Sequence, residues 1–373
     1  MKYYFIAGEA SGDLHASNCI KQIIELDKKA EFAFTGGDLM QKKTGVEPSI
    51  HIKQMAFMGF IDVLKNIRTI KKNFKTVKQS ILNFKPNALV LVDYPGFNLR
   101  MAKWAFKNNI KVYYYISPTV WAWKEKRVEL IRKYVTKLFV ILPFEKAFYK
   151  KHTIDVEFVG HPLLDAIEQQ KPTFKTKENF ILENGLTQQP IIAVLPGSRL
   201  QEINYMLNIM LGVINDFKTH QLVVAGSTNL PQHIYEPLKQ KGIKVIFNQT
   251  YELMSYADVG IIKSGTSTLE SALFKLPQVI CYKAGGLSFK IGKLLVKIKH
   301  IGLPNLIMDK LVVKELVQND LTTKNICAEL DKLINNSNYR KEIITNYNLL
   351  EKQLGGGGAS KRIAQSIIND LTL

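Results

Sequence analysis

The chain has 373 residues, enough for two domains of ordinary size, and its 46% hydrophobic and 22% charged content is typical of a folded globular protein. No stretch approaches the roughly 20 consecutive apolar residues of a membrane span, so we expect any membrane contact to be peripheral. The net charge of +19 predicts attraction to nucleic acid, an anionic membrane or a phosphorylated substrate, unless the protein is simply lysine-rich. Three widely spaced cysteines indicate neither a disulfide framework nor a zinc site, which favours a reducing cytosol.

Short apolar runs alternate with helix-like segments, the pattern of parallel strands buried between helices. Strands are predicted in the first half at 3–7, 32–35, 88–92, 112–116, 138–142 and 157–159, and in the second half at 191–195, 221–225, 243–247, 259–262 and 278–282. The polar stretch 168–177 separates the two series. We therefore predict an α/β protein with two Rossmann-like, doubly wound domains that face each other across a cleft, where strand-end loops bind ligands.

The predicted domains span residues 1–170 and 171–345. The remaining segment, 346–373, contains four consecutive glycines at 355–358 before a helical pattern, and we expect it to pack back across the domains. Such a glycine run is incompatible with a helix interior. It indicates either a hinge or a loop whose bare backbone approaches a ligand.

Two acidic residues follow strands of the first half. Glu9 lies in the small-residue loop 8–13, and Asp93 ends the third strand just before Pro95. A carboxylate in the position of Asp93 can accept a proton from a substrate hydroxyl, and Glu9 can bind a sugar hydroxyl. The alternative is that Asp93 stabilises a turn and that Asp13, in the same loop, caps the next helix.

The segment 117–127 contains two of the three tryptophans, Trp121 and Trp123, beside several basic residues. Their rings could stack on a sugar, clasp an acyl chain, or belong to the domain core. His161, which follows a predicted strand, is the histidine closest to the expected cleft, although His-Pro also occurs in ordinary turns.

A strongly apolar stretch at 55–64 precedes a basic run, a combination typical of an interfacial membrane segment. A buried helix followed by a solvated helix is the alternative, and residues 289–299 repeat the pattern. The predicted membrane contacts are Met55, Phe57, Met58, Phe60, Lys65, Arg68 and Lys72.

Two loops of the second half suit phosphate groups, because each follows an apolar run and the second precedes a helical pattern. Together they predict a site for a nucleotide diphosphate, with two ordinary strand–helix turns as the alternative. The predicted ligands are Gly197, Ser198 and Arg199 in the first loop and Gly265, Thr266, Ser267 and Thr268 in the second. No Asp-x-Asp, His-Glu-x-x-His or Walker motif occurs, so neither a metal nor a cofactor is predicted.

In combination, these motifs resemble the lipid-A-disaccharide synthases, and the resemblance runs in order through nearly the whole chain. The matching segments are 7–13, 58–60, 93–98, 117–127, 143–145, 160–162, 196–199, 264–270, 303–305 and 315–318. The resemblance implies an inverting, metal-independent glycosyltransferase of the two-Rossmann (GT-B) type. The domain at 1–170 would then bind the acceptor and face the membrane, and the domain at 171–345 would bind the UDP-sugar. Its substrates would be UDP-2,3-diacylglucosamine and 2,3-diacylglucosamine 1-phosphate, and it would act peripherally on the anionic cytoplasmic face of the inner membrane.

The resemblance also implies roles for single residues. Asp93 would be the base that deprotonates the acceptor 6-hydroxyl, although the sequence does not separate it from Glu9. Glu270 would bind the ribose, with Asn305 and Gln318 on the nucleotide side. The acceptor and its sugar would contact Ser11, Asn98, Ser117, Trp121, Trp123 and His161. Lys263 departs from the family pattern, which has a small residue before Ser-Gly-Thr.

Two other functions are compatible with the sequence. A UDP-sugar 2-epimerase uses the same two-domain fold but needs no acyl-binding surface. A basic nucleic-acid-binding protein would explain the charge, but the bases do not gather around a recognition element. A homo-oligomer is compatible with the sequence, and the acyl-chain lengths are not encoded in any recognisable motif.

Overall fold

The computed structural model describes residues 1–55, 66–286, 289 and 298–373. It divides the chain into two compact units. Unit 1 comprises Met1–Ala166 and Leu354–Leu373, and unit 2 comprises Ile167–Gln353. Among these described residues, no helix is both long and apolar enough to span a bilayer.

Unit 1 contains a six-stranded parallel sheet with the strand order β2-β1-β3-β4-β5-β6. Its strands are β1 (Lys2–Ala7), β2 (Glu31–Thr35), β3 (Ala88–Val92), β4 (Lys111–Tyr115), β5 (Lys137–Val140) and β6 (Glu157–Phe158). Its described helices are α1 (Ala10–Leu26), α2 (Asp38–Thr44), α3 (Ile67–Phe84), α4 (Pro95–Lys107), α5 (Val128–Tyr134), α6 (Pro143–Lys151) and the final helix α16 (Ala359–Thr372). Helix α7 (Pro162–Gln170) contains the division between the units.

Unit 2 contains a second six-stranded parallel sheet with the order β12-β11-β10-β7-β8-β9. Its strands are β7 (Ile191–Leu195), β8 (Gln221–Gly226), β9 (Lys244–Phe247), β10 (Val259–Lys263), β11 (Gln278–Tyr282) and β12 (Glu315–Val317). Its described helices are α8 (Lys177–Glu183), α9 (Leu200–Leu211), α10 (Glu236–Gln240), α11 (Thr250–Tyr256), α12 (Thr266–Leu273), α13 (Leu303–Met308), α14 (Thr323–Asn335) and α15 (Ser337–Gln353).

The central strands of unit 1 are apolar on both faces because helices cover both sides of the sheet. Tyr4 and Ile6 of β1 belong to one core, whereas Tyr3 and Phe5 belong to the core on the opposite face. Helix α16 packs against α1 and adds apolar side chains to the second core. The last helix of the chain therefore completes the first unit.

The α/β class and the two Rossmann-like, doubly wound sheets are confirmed. All eleven predicted strands are present, with ends that shift by at most a residue or two. The strand β12 was missed, because only three residues, Glu315–Val317, form it and they sit between charged and polar neighbours.

Candidate functional site

In each sheet, the strand order reverses between two central strands. In unit 2, the chain leaves β7 toward β8 on one side and later continues at β10 on the other, so the loops after β7 and β10 diverge. In unit 1, the corresponding pair is β1 and β3. Such switch points leave a crevice at the carboxyl ends of the strands. The predicted phosphate loops and the predicted pair of carboxylates follow these four strands.

The switch point of unit 2 opens into a cavity of about 470 Å³. The loops after β7 and β10 both line it, so the structure brings together six of the predicted phosphate ligands, which are Gly197, Ser198, Arg199, Gly265, Thr266 and Ser267. The start of α12 lies in this lining, and the first backbone N–H groups of a helix lack intrahelical acceptors. The cavity therefore combines bare glycine backbone, hydroxyls, backbone donors and cations, which suits an anion.

The loop after β7 turns sharply at Gly197. This residue has a φ of +107°, and a side chain there would be strained. A Cβ added to Gly197 would lie 2.3 Å from Oε2 of Glu202, which extends from the first turn of α9. Glycine at this position thus lets a carboxylate approach the backbone of the loop closely.

Three charged side chains meet in the cavity lining. Lys263 Nζ lies 2.7 Å from Oε1 of Glu202, and Arg199 Nη1 lies 3.7 Å from the same oxygen. Lys263 and Glu202 are 17% and 15% exposed, whereas the Arg199 side chain is 62% exposed. Lys263, which departs from the pattern of the family that the sequence resembles, thus lies in the lining of this cavity.

Two further predicted residues of α12, Thr268 and Glu270, are not part of the cavity lining. Thr268 is fully buried, and its hydroxyl donates to the Gly265 carbonyl over 2.8 Å and accepts from the Leu303 N–H. Glu270 accepts a hydrogen bond of 2.8 Å from the Tyr251 hydroxyl, and burial raises the pKa of its carboxyl. Thr268 therefore supports the loop from within, while the role of Glu270 at a ribose stays a prediction.

Asn305 and Gln318 both hold loops of unit 2 in place. The Asn305 side chain is fully buried and makes four hydrogen bonds, through Nδ2 to the Val313 carbonyl and Glu315 and through Oδ1 to the N–H groups of Val312 and Val313. Gln318 bonds to both backbone groups of Ala284, which follows β11. Their direct contact with a nucleotide stays a prediction.

In unit 1, Glu9 and Asp93 follow adjacent strands at the switch point. Ala7 of β1 pairs in register with Val92 of β3, so the two carboxylates emerge from neighbouring strand ends. Glu9 is the residue before α1, and its carbonyl accepts from the Asp13 N–H over 2.9 Å. The structure therefore brings together the two acids that the sequence predicted.

The backbone at Asp93 adopts an unusual conformation. Asp93 and Tyr94 have φ values of +45° and +49°, a left-handed region that costs non-glycine residues of this size about 1–3 kcal/mol each. Hydrogen bonds hold it: the Asp93 carbonyl accepts from Asn98 Nδ2 at 2.8 Å and from the Tyr114 hydroxyl at 2.6 Å. The predicted residue Asn98 is itself fully buried, so it orients the strand end that carries Asp93.

The environment of Asp93 alters its acidity. Burial disfavours the charged carboxylate, and the nearby negative charge of Glu9 acts in the same direction, although a hydrogen bond from the Tyr94 N–H opposes them. Together they raise the pKa of Asp93 to about 6. A carboxylate with such a pKa is a stronger base than an ordinary aspartate and remains ionised at neutral pH.

The remaining residues of the loop after β1 differ in exposure. Ser11 lies exposed in the first turn of α1. Asp13 is buried and accepts hydrogen bonds from the N–H groups of Gly37, Leu39 and Met40 at 2.9, 3.0 and 3.2 Å. It therefore caps α2, whereas the sequence suggested a cap for the helix that directly follows the loop.

The tryptophan segment is anchored to α6. Trp121 is partly buried, packs edge-on against Phe144 with ring centres 4.9 Å apart and donates to Oε1 of Glu145. Ser117 is buried, with its hydroxyl 2.6 Å from that of Tyr149. Trp123, in contrast, is 39% exposed, and Lys124 Nζ lies 4.2 Å from its ring centre. Of these predicted acceptor contacts, Trp123 presents the largest free surface.

His161 lies in a buried polar region of unit 1. Its Nδ1 accepts from the Leu163 N–H at the start of α7, and its own N–H donates to the Leu354 carbonyl. Burial, with a smaller effect of His15, lowers the pKa of His161 to about 3, so the imidazole is neutral. Nearby Asp165 accepts from the N–H groups of Gly358 and Ser360, which ties the glycine run to this region.

Three of the seven predicted membrane contacts lie within the described residues. Met55 is 1% exposed within the core of unit 1, so it packs inward and does not face a membrane. Arg68 and Lys72 are exposed on α3. Phe57, Met58, Phe60 and Lys65 lie outside the described residues.

Sequence reasoning missed several residues of the two switch points. Glu202, Gly226, Ser227 and Thr250 also line the cavity of unit 2, and Tyr114 holds the strand end of Asp93. Gly226–Ser227 directly follow the predicted strand 221–225, so the same strand-end argument could have found them. No local pattern could have revealed Glu202 or Tyr114, because their roles depend on contacts between elements. Among the described residues, no cluster of three or more His, Cys, Asp or Glu suits a metal ion.

Comparison with known families gives a match over nearly the whole chain. The family model described as lipid-A-disaccharide synthetase matches residues 3–366. A lipid-A-disaccharide synthase from Coxiella burnetii strain CbuG_Q212 is 38% identical over 370 residues, which cover 98% of this chain and 97% of that relative. One from Geobacter sulfurreducens is 34% identical over 373 residues, with coverage of 98% and 96%.

Solved structures of low identity share the fold. The UDP-GlcNAc 2-epimerase from Neisseria meningitidis bound to UDP-GlcNAc aligns with a TM-score of 0.70 at 17% identity, over 99% of this chain and 100% of the other. The glycosyltransferase of kitacinnamycin aligns with a TM-score of 0.62 at 11% identity, over 99% and 98%. These likenesses support two Rossmann-like domains of the GT-B type, and at such identities they concern the fold alone.

Proposed function

The chain belongs to the lipid-A-disaccharide synthase family and is a glycosyltransferase, and we propose that it joins two acylated glucosamine units. The donor is UDP-2,3-diacylglucosamine and the acceptor is 2,3-diacylglucosamine 1-phosphate. The products are the lipid A disaccharide 1-phosphate and UDP. The observation that carries this proposal is that both glycine loops line the same cavity at the switch point of unit 2.

The donor diphosphate occupies that cavity. Backbone N–H groups of the loops after β7 and β10 donate to the phosphate oxygens, and the Arg199 guanidinium supplies a positive charge. These groups stabilise the negative charge that UDP carries as it leaves, a task for which some transferases use a divalent ion. Glu270, one turn into α12, accepts hydrogen bonds from the ribose.

The chemical step is a single displacement with inversion. The 6-hydroxyl oxygen of the acceptor attacks C1 of the donor sugar, the bond between C1 and the phosphate oxygen breaks, and its electron pair leaves with UDP. Asp93 takes the proton of the hydroxyl, and Glu9 holds a sugar hydroxyl nearby. The raised pKa of Asp93, about 6, supports this assignment because it favours proton uptake.

The exposed basic residues of α3 support contact with an anionic lipid surface. Arg68, Lys71, Lys72 and Lys75 are all exposed on this helix. Since both substrates carry acyl chains, we place α3 against the cytoplasmic face of the inner membrane, where the chain binds peripherally.

The proposal is tested with radiolabelled donor, with and without the monosaccharide phosphate acceptor. We expect release of UDP only when the acceptor is present. The variant Asp93→Asn keeps the shape of the side chain but removes the base, so turnover should fall by about 10²–10⁴-fold. Asp155→Asn, which changes an exposed acid of the same unit, is the matched control and should retain full activity.

Two results would contradict this function. Conversion of the donor without acceptor would favour the epimerase reaction. Normal turnover of Asp93→Asn would show that Asp93 is not the base. If only Glu9→Gln lost turnover, the role of base would be assigned to Glu9.

A further inference from the structure

The ion pair between Lys263 and Glu202 spans the two glycine loops of unit 2. The Lys263 ammonium lies beside the second loop, since a Cβ added to Gly265 would be 3.6 Å from Nζ. The Glu202 carboxylate lies against the first loop, 2.3 Å from the position of a Cβ on Gly197. A carboxylate therefore lies between the two loops, in the lining of the cavity that suits an anion.

The charges around this position are unequal. Among the described residues, Lys263 and Arg199 both approach Oε1 of Glu202, at 2.7 and 3.7 Å, so one carboxylate lies near two cations. A nucleoside diphosphate carries more negative charge than a carboxylate and several more acceptor oxygens. It would thus satisfy both cations better than Glu202 does, while repelling the glutamate.

We propose that Lys263 is a direct ligand of the donor diphosphate and that Glu202 is its exchangeable counter-anion. In the ligand-free protein, Glu202 holds the ammonium between the loops. When the diphosphate binds, it replaces Glu202 as the partner of Lys263 and Arg199. Glu202 reclaims the cations when UDP departs, which favours product release. This inference rests on the proposed function and assigns a role to a lysine that departs from the family pattern.

The test is calorimetry of UDP and of uridine, both in EDTA, with the full-length protein. Lys263→Met removes the ammonium but keeps an unbranched chain in place of the lysine methylenes, so UDP should bind about 10- to 100-fold more weakly. Glu202→Gln removes the competing charge at constant shape, so UDP should bind about three- to tenfold more tightly. Uridine, which lacks the phosphates, should bind equally to all three proteins.

Further variants separate charge from structure. Lys263→Arg retains the positive charge and should retain most of the affinity for UDP. Lys239→Met removes the lysine of an exposed pair with Glu236 in the same unit, and UDP binding should not change. Inorganic pyrophosphate, titrated alone, should bind Glu202→Gln more tightly than the wild type.

The outcomes distinguish this inference from the proposed function. Absence of UDP binding by the wild type would overturn both. Normal UDP affinity in Lys263→Met would overturn the role of Lys263 alone, as would an equal loss of uridine affinity in that variant. Weaker UDP binding by Glu202→Gln would show that the carboxylate positions the lysine throughout and would overturn the exchange.

Discussion

At the residue scale, the position of Asp93 in unit 1 depends on two neighbouring side chains. The left-handed backbone of Asp93 and Tyr94 is stabilised by Asn98 and Tyr114, which lie on α4 and β4. Strand β3, which Asp93 follows, together with α4 and β4 thus determines where this carboxylate lies. The same packing removes water from it, which is the main cause of its raised pKa.

The raised pKa of Asp93 predicts the pH dependence of the reaction. A base must be deprotonated, so kcat/KM should be constant above the pKa of about 6 and fall toward tenfold per pH unit below it. Since the charge of Glu9 raises this pKa, Glu9→Gln should move the acid limb to lower pH. The measurement is the pH profile of kcat/KM for wild type, Glu9→Gln and the control Asp155→Asn.

An acid limb that stays in place in Glu9→Gln would show that the two carboxylates do not interact in the free enzyme. A limb that moves to higher pH would contradict the assigned direction. The control should reproduce the wild-type profile, because Asp155 is exposed and distant from the switch point in sequence.

At the scale of elements, the proposed diphosphate site is formed by two loops that follow strands β7 and β10. The loop after β7 is shaped by Gly197, where φ is +107° and a methyl group would enter the space that Glu202 now occupies. We expect a phosphate of the donor to enter the same space, so a side chain at this position should weaken its binding.

The variant Gly197→Ala tests this requirement. Left-handed strain should destabilise the protein by about 1–2 kcal/mol, and the added methyl should weaken UDP binding about tenfold or more. Gly242→Ala is the matched control, since Gly242 has a φ of +73° and nothing within 4 Å of an added Cβ. Its thermal unfolding should show a similar loss of stability, but its affinity for UDP should equal that of the wild type. Equal UDP affinity in all three proteins would exclude the β7 loop from the site.

At the scale of the whole molecule, the net charge of +19 acts together with the distribution of the bases. A general excess of charge attracts any polyanion, whereas a docking face needs bases gathered on one element. Helix α3 contains such a group in its first turns, in Arg68, Lys71, Lys72 and Lys75.

We expect the protein to bind anionic phospholipid vesicles but not neutral ones. The affinity for the anionic vesicles should fall as the salt concentration rises. The triple variant Lys71→Gln, Lys72→Gln, Lys75→Gln should bind about 100-fold more weakly, since each lysine near an anionic surface contributes about 1 kcal/mol. The control Lys324→Gln, Lys332→Gln, Lys341→Gln removes the same charge from exposed sites of unit 2. Vesicle cosedimentation measures both. Equal weakening by the two triple variants would assign the attraction to net charge alone.

Strand positions and strand-end loops could be predicted because their signals are local. An apolar run such as 259–262, followed after Lys263 by Ser-Gly-Thr, predicts a buried strand, a tight loop and a helix start without knowledge of any other segment. The same reasoning located Glu9, Asp93 and the two glycine loops. It failed for Met55, whose apolar side chain has the same appearance in a core as at a membrane surface.

The sequence by itself determined the fold class, eleven of the strands and the motifs that resemble one enzyme family, because periodicity and loop composition are written in neighbouring residues. Only the tertiary structure decided which groups share a site. Lys263 and Glu202 are distant in the chain and meet because β7 and β10 are adjacent in the sheet. The pKa of Asp93 likewise depends on burial and on Glu9, which is brought to it by the pairing of β1 with β3. Contacts and desolvation arise from packing between distant segments, and no local pattern encodes them.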